Sequence, residues 1–476
     1  MGSCWWRGGD RIILTKTIFK WDAQAERALE LMEHGNDHVF ITGQAGTGKS
    51  TLLEHFRRTT EKNIVVLAPT GVAAANVGGR TIHSFCGIGP SSNMNKANKL
   101  NPNDPHKEVV QHLDMVIIDE ASMVRADLMD YFDKFLRANT NEPKRAFGGV
   151  QIVLVGDLYQ LSPVVTSNEV QMFTKTYPTP YFFSANIFQQ ISFKFVELDV
   201  VHRQKDRAFL KLLQSIRVNS AKTEELKEIN SRLVDQDAND IEDFTVYLST
   251  TNAIAERVNA YKLSQVDGEV KSFQGIFTGR SDSFQPPAEK ELKLKVGAQV
   301  MMLNNEKTGK WVNGTVGKFT GVYKQTKQEL EKEMRGNGAE NGGELLMVEL
   351  EDGTMQYIPR NRWDIIDFVW DEQDGAVESD VVGTYSQYPV KLAWAITIHK
   401  SQGKTFDNVV IDLGRGAFAH GQLYVALSRC RTLEGIELIR EASMGDIKMD
   451  ARVVEFLDIC RKFEERNVMF GGGGLF

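Results

Sequence analysis

Short, continuous apolar runs recur along the first part of the chain: Val39–Ile41, Ile64–Ala68 within NIVVLAP, Met115–Ile118 and Val150–Val155. Runs without alternation predict strands covered on both faces, as in a parallel sheet. Each run stops at a glycine or polar cluster: Gly43, Pro69-Thr70-Gly71, Asp119-Glu120 and Gly156-Asp157. Helical spacing fills the intervals. Trp21–Glu33 places Ala25, Ala28, Leu29 and Met32 on one face and stops before Gly35, and Ser50–Phe56 has helical character. Strands alternating with helices predict a doubly wound α/β sheet, whose ligand chemistry gathers at the carboxyl ends of its strands. The polar clusters sit at those ends.

The texture then changes twice. A second unit opens near Glu197, with a helical stretch Asp206–Arg217 and a strand Thr245–Leu248. From about Gln265 to Gln387, short strands such as Lys295–Leu303 and Leu345–Leu350 are joined by Asn313-Gly314, Gly336–Gly343 and Asp352-Gly353. Such closely spaced turn signals predict a β-rich barrel or sandwich inserted into the second unit. Buried patterns resume at Tyr388, notably Asn408–Leu413 and His420–Arg429. Ser91–His106 and the highly charged Lys324–Arg335 predict surface segments.

Composition alters this picture little. The 476 residues exceed one domain's usual length, and 42% hydrophobic with 25% charged residues is ordinary for a globular chain. No run reaches the ~18 apolar residues of a membrane span, so a membrane partner is not expected. The start lacks a secretory h-region, and the ends, including GGGGLF, predict peripheral termini; a cytoplasmic location follows as an expectation. Cys4, Cys86, Cys430 and Cys460 are scattered without a CxxC pair, which disfavours zinc and disulfide frameworks. Net charge is −7, so composition lends a nucleic-acid partner no support. Local charge does: residues 386–431 carry Lys391, Lys400, Lys404, Arg415, Arg429 and Arg431 against Asp407 and Asp412.

The chemistry starts at Gly43–Thr51, GQAGTGKST, which meets G-x-x-x-x-G-K-[ST] between a strand and a helix. Gly43, Gly46 and Gly48 allow the tight turn that aims the N–H groups of Ala45, Thr47 and their neighbours at phosphate oxygens. Lys49 reaches the β- and γ-phosphates, Ser50 offers a hydroxyl to Mg²⁺, and Thr51 opens the helix. Asp119 can share the Mg²⁺, and Glu120 is placed to deprotonate the attacking water. That base favours hydrolysis over transfer to a small acceptor. Gln160, in GDLYQLSPV, can sense the γ-phosphate, and Arg203 and Arg429 from the second unit can stabilise its transition state.

The ordered set GQAGTGKST, LAPTGVAAANVGGRTIHSF, VIIDEASMV, GGVQIVLVGDLYQLSPV, VHRQ, TIHKSQGKTFDNVVID and GQLYVALSRCRT resembles superfamily-one helicases of 5′-to-3′ polarity, most of all the Pif-one type, with RecD-like relatives. The resemblance runs from about Phe19 to Ile439; within Asp127–Val150, Phe132-Asp133, Arg137 and Phe147-Gly148-Gly149 resemble the type's signature segment. Ser162 departs from it, standing where a proline more often precedes Pro163. The fold implied is two RecA-like parallel-sheet motor domains, 19–196 and 197–264 with 388–455. A small wedge insertion is expected about 72–85, an SH3-like β-rich insertion at 265–387, and peripheral termini at 1–18 and 456–476. By resemblance, Gln24 reads adenine, and Gly403 joins the nucleotide-binding set. Pro69, Thr70, Gly71, Ala73, His83, Ser84 and Phe85 of the first domain would lie along DNA, with His399, Lys400, Ser401, Gln402 and Thr405 of the second. His83 and Phe85 are the stacking candidates, while Trp394, inside an apolar run, reads as core. The implied activity is ATP- and Mg²⁺-dependent unwinding of single-stranded and forked DNA, extending to G-quadruplexes and RNA–DNA hybrids, by a monomer that can pair on DNA. The rivals are a DNA-stimulated ATPase that does not unwind, a nucleotide switch using the phosphate loop alone, and a scaffold with a dead motor.

Overall fold

A computed structural model describes residues 21–88, 96–201, 206–235, 242–280, 284, 286–306, 308–326, 343–466 and 470–471. Arg203, residues 1–18, the 91–95 part of the predicted surface loop and the 327–342 part of the charged and glycine-rich stretch lie outside them.

The four apolar runs become β1 (His38–Gly43), β2 (Ile64–Ala68), β4 (Met115–Ile118) and β5 (Gln151–Val155), and with β3 (Arg80–Thr81) and β6 (Ser192–Leu198), which the runs did not announce, they form one parallel sheet in the order β6-β1-β5-β4-β2-β3. Register sets Val39 beside Val153 and Ile117 beside Val153, so the centre is covered on both faces. Alternation along β1 sends Val39 and Ile41 to one core and Phe40 to the other. The first core is closed by Ala25, Ala28 and Met32 of the helix Ala23–His34 and by Leu52, Leu53 and Phe56 of the helix Lys49–Thr59. Asp22 caps the former, accepting from Ala25 N at 2.8 Å.

The signature segment acts within this domain. Helix Ala126–Asn139 carries Asp133, which accepts from Arg137 Nε at 2.8 Å and from Phe147 N at 2.7 Å, pinning the turn where Phe147 sits at φ 48°. Of the expected wedge, Arg80–Thr81 pairs with β2, and Ile82 and Phe85 are core. Helix Gly71–Asn76 leads into this pairing, with Val72 exposed.

The C-terminal segment corrects another expectation. Of residues 456–476, the described part is not peripheral, because helix Ala451–Glu465 packs Val453, Phe456, Leu457 and Cys460 into the first domain's core. Phe456 stacks on Phe183 with centroids 4.3 Å apart, Arg461 pairs with Glu197 at 2.8 Å, and Phe470–Gly471 adds an antiparallel strand to β6. Val453, Phe456, Leu457 and Cys460 stand at i, i+3, i+4 and i+7, the spacing of a buried helix face. Phe456→Ala should cost about 3–5 kcal/mol in denaturant unfolding, whereas exposed Met444→Ala should stay within about 0.5 kcal/mol.

The second domain has a four-stranded parallel sheet in the order Ala395–Thr397, Val246–Ser249, Val409–Asp412, Ile436–Leu438. Its core takes Phe209, Leu212, Leu213 and Ile216 from helix Arg207–Arg217 and Leu423–Leu427 from helix Gln422–Leu427. Trp394 is buried, as its apolar run implied. The inserted region forms an antiparallel five-stranded sheet, to which Val390–Leu392 contributes, and a long hairpin, Asn361–Asp371 with Ala376–Gln387.

That hairpin reaches the first domain. Phe368 enters its core beside Phe85, Trp370 stacks on His112 at 3.6 Å, Arg80 pairs with Asp367, and Val377 N donates to Asn63 Oδ1 at 2.9 Å. Among the described residues no helix is long and apolar enough to cross a membrane.

Candidate nucleotide cleft and nucleic-acid interface

Gly46 (φ 86°) and Gly48 (φ 85°) adopt left-handed backbone between β1 and the helix Lys49–Thr59, the geometry that turns a chain of N–H groups inward. Lys49 Nζ folds onto its own loop, donating to Gly43 O at 2.7 Å and Gln44 O at 2.9 Å. Burial pushes its pKa down, against the pull of Asp157, Glu120 and Asp119. At the end of β4, Asp119 is buried and accepts from Glu120 N at 2.9 Å. Burial raises the Asp119 carboxyl, and burial with the neighbouring Asp119 charge lifts Glu120 to about 7, opposed by Lys49 and Arg429. Glu120 also sits at φ 51°, a left-handed conformation that costs a side-chain-bearing residue roughly 1–3 kcal/mol.

The second domain closes over this loop. Tyr424 Oη accepts from Ala45 N at 3.4 Å. Gly421 lies so close that a Cβ there would stand 2.3 Å from Tyr159 O. Gln160, 7% exposed, donates to Asp157 Oδ2 at 3.3 Å and accepts from Gln402 Nε2 at 3.4 Å. Arg429 is fully enclosed: Nε donates to Val425 O at 2.9 Å, and Nη1 reaches Ser401 O and Lys404 O at 3.4 Å each. The predicted residues Lys49, Asp119, Glu120, Gln160 and Arg429 are thus gathered on one cleft, and the loop 399–404 is tied to it.

Sequence reasoning missed a partner of this group. Arg217, the last residue of helix Arg207–Arg217, donates from Nη2 to Asp157 Oδ1 at 3.0 Å and lies over the Tyr159 ring at 4.2 Å. Both charged side chains are buried, so the pair bolts the second domain to the end of β5. The available signal was its place four residues after Leu213, on the helix's apolar face.

A nucleotide with Mg²⁺ fits these residues. Gln24 Oε1 is buried with no partner among the described residues, an acceptor suited to an adenine amine. Asp119 carboxylate and Ser50 hydroxyl, the latter exposed, are the hard oxygen donors Mg²⁺ takes.

Sequence profiles match as PIF1-like helicase over residues 24–227, as DNA helicase Pif1, 2B domain over 282–322, and as UvrD-like helicase C-terminal domain over 392–433. A relative from Bdellovibrio bacteriovorus, named ATP-dependent DNA helicase Pif1, is 31% identical over 444 residues, covering 90% of each chain. The chain belongs to the PIF1-like helicase family. The chain is also 33% identical over 431 residues to the ATP-dependent DNA helicase PIF1 of Mus musculus, covering 89% of this chain and 60% of that one. It therefore spans about three-fifths of the vertebrate relatives it matches. Unliganded Pif1 from Bacteroides sp superposes with TM-score 0.80 at 31% identity, covering 95% of this chain and 99% of that one. The Bacteroides Pif1 bound to ssDNA gives 0.63 at 31% identity, covering 94% and 98%.

In this chain the expected nucleic-acid residues divide into two groups. Pro69, Thr70, Gly71 and Ala73 are partly exposed at the end of β2, with Thr70 Oγ1 capping helix Gly71–Asn76 by accepting from Ala73 N at 3.2 Å. His83 is exposed, Ser84 and Thr405 are partly so, and Lys400 is exposed beside a partly exposed His399. Phe85 is not a stacking platform, because it is 1% exposed and packs on His106, Phe132 and Phe135. Ser401 is likewise withdrawn, fully buried with Oγ donating to Ile398 O at 2.7 Å. Gln402 faces Gln160 across the cleft, and Gly403 is exposed at φ 75°.

Proposed function

We propose that this chain is an ATP- and Mg²⁺-dependent DNA helicase that moves 5′-to-3′ on single-stranded DNA and opens duplexes. The observation that carries the reading is the link from loop 399–404 to the nucleotide cleft, through Gln402 on Gln160 and through the Ser401 and Lys404 carbonyls on Arg429. Residues expected along DNA and residues expected around the γ-phosphate then cannot move independently. The phosphate loop N–H groups and Lys49 hold the triphosphate, and Gln24 orients the base. Ser50 and Asp119 would hold Mg²⁺, which supplies neutralisation of β- and γ-phosphate charge when bound. Glu120 takes the proton of the attacking water, a role its lifted pKa suits. Arg429 meets the charge that develops on the γ-phosphate, and its shift draws on the loop that grips DNA.

Forked DNA is the proposed substrate, engaged by one copy or by two. Support comes from solved relatives described as Bacteroides Pif1 bound to ssDNA and as two coordinating Pif1 helicases at forked dsDNA. G-quadruplexes and RNA–DNA hybrids are parts of the proposal that the resemblance supports, and a cytoplasmic location is proposed with them. A strand-displacement assay on labelled forks tests the reading. With ATP, a 5′-tailed fork should open and a 3′-tailed one should not; ATP turnover without displacement on either fork would leave a non-unwinding translocase instead.

A further inference from the structure

Gln160 can sense a γ-phosphate only if its amide is turned the right way, and an amide keeps nearly the same shape when its oxygen and nitrogen are exchanged. Three groups settle the choice. Asp157, 1% exposed just past the end of β5, holds its carboxylate between two sets of partners. Its Oδ2 accepts from Gln160 Nε2 at 3.3 Å, and its Oδ1 accepts from Arg217 Nη2 at 3.0 Å and from Tyr159 N at 3.2 Å. An ionised carboxylate only accepts and a guanidinium only donates. Arg217 therefore keeps Asp157 an acceptor, and Asp157 draws the Gln160 nitrogen toward itself. Gln160 Oε1 is left facing the second domain, where it accepts from Gln402 Nε2 at 3.4 Å. One hydrogen-bonded chain, Arg217 to Asp157 to Gln160 to Gln402, thus leaves the second domain, crosses the first and returns.

Holding the two domains together does not by itself call for a charge here. Arg217 is buried with its guanidinium over the Tyr159 ring, and its Nε has no partner among the described residues. Apolar side chains of similar volume secure a buried seam as well as such an ion pair, or better. What the guanidinium adds is its grip on Asp157.

We propose that Arg217, which lies outside the ordered motif set, is a positioning residue for ATP hydrolysis. Through Asp157 it fixes the Gln160 amide with one Nε2 hydrogen on the carboxylate, the other directed to a γ-phosphate oxygen, and Oε1 on Gln402. The inference rests on the DNA-motor reading and deepens it, since it names what orients the γ-phosphate sensor. Without the guanidinium the amide is able to turn over, presenting its oxygen to a phosphate that repels it.

A double-mutant cycle on ATP turnover by the full chain, with a single-stranded oligonucleotide at saturation, separates this role from a structural one. Arg217→Met should lower kcat about tenfold and leave KM for ATP within about twofold. In a Gln160→Ala background the same substitution should cost less than about twofold, because the group it acts through is gone. Asp157→Asn keeps the shape but turns an amide nitrogen toward Gln160, and should reproduce both results. Thermal melting shows whether each variant folds; if Arg217→Met does not, the Asp157→Asn cycle decides. Wild-type kcat in Arg217→Met, equal losses in the two backgrounds, or a loss carried by KM would overturn the inference, while oligonucleotide-stimulated turnover of the wild type leaves the motor reading standing. A wild-type chain whose turnover ignores the oligonucleotide would overturn the motor reading on which the inference rests.

Discussion

Lys49→Ala should lower ATP turnover by about 10²–10³-fold and weaken nucleotide binding, while affinity for single-stranded DNA stays near that of the wild type. The amine is held in its loop by the carbonyls of Gly43 and Gln44, at 2.7 and 2.9 Å, in a pocket shared with Asp119, Glu120 and Asp157. A triphosphate offers it stronger, charged acceptors, and those grow in charge as the γ-phosphate departs. Removing the amine therefore affects ground state and transition state together. The residues expected along DNA belong to other elements, the end of β2 and the 399–405 loop, and keep their support without Lys49. Steady-state hydrolysis together with anisotropy on one protein preparation separates the two effects.

Glu120→Gln should fail differently. Turnover falls by about 10²–10⁴-fold through loss of the general base, but nucleotide affinity is kept or rises. The reason is electrostatic: burial and the neighbouring Asp119 already disfavour the Glu120 charge, and an approaching triphosphate disfavours it further. The amide removes that repulsion and preserves shape. Fluorescent-nucleotide titration beside single-turnover hydrolysis checks the contrast with Lys49→Ala. Equal loss of binding in both variants would remove Glu120 from the role of base.

The parts of this account that were legible in the sequence are those whose meaning is local. A glycine-rich loop between strand and helix, an acidic pair at a strand end and a glutamine after the next strand declare themselves by spacing, and the fold gathers Lys49, Asp119, Glu120 and Gln160 as expected. Continuous apolar runs likewise announced the first parallel sheet. What stayed hidden depends on contacts between distant segments. Arg217 and Asp157 are 60 residues apart, and Tyr424 and Ala45 are 379 apart. The hairpin strand NRWDIIDFVWD alternates charge and aromatics like a surface strand, yet Phe368 enters the first domain's core. Phe85 misled in the opposite sense: an aromatic near exposed His83 suggested a base platform, but two helical steps turned it inward. Polar type misled at Ser401, whose hydroxyl completes a tight turn instead of facing solvent.

The central claim is that the nucleotide cleft and the DNA grip move as one unit, since Gln402 and Arg429 join them. ATP turnover by the wild-type chain, measured with and without a single-stranded oligonucleotide under otherwise identical conditions, tests it most directly. Severalfold stimulation by the oligonucleotide, absent in Lys49→Ala, is the predicted result; turnover indifferent to single-stranded DNA would contradict the claim.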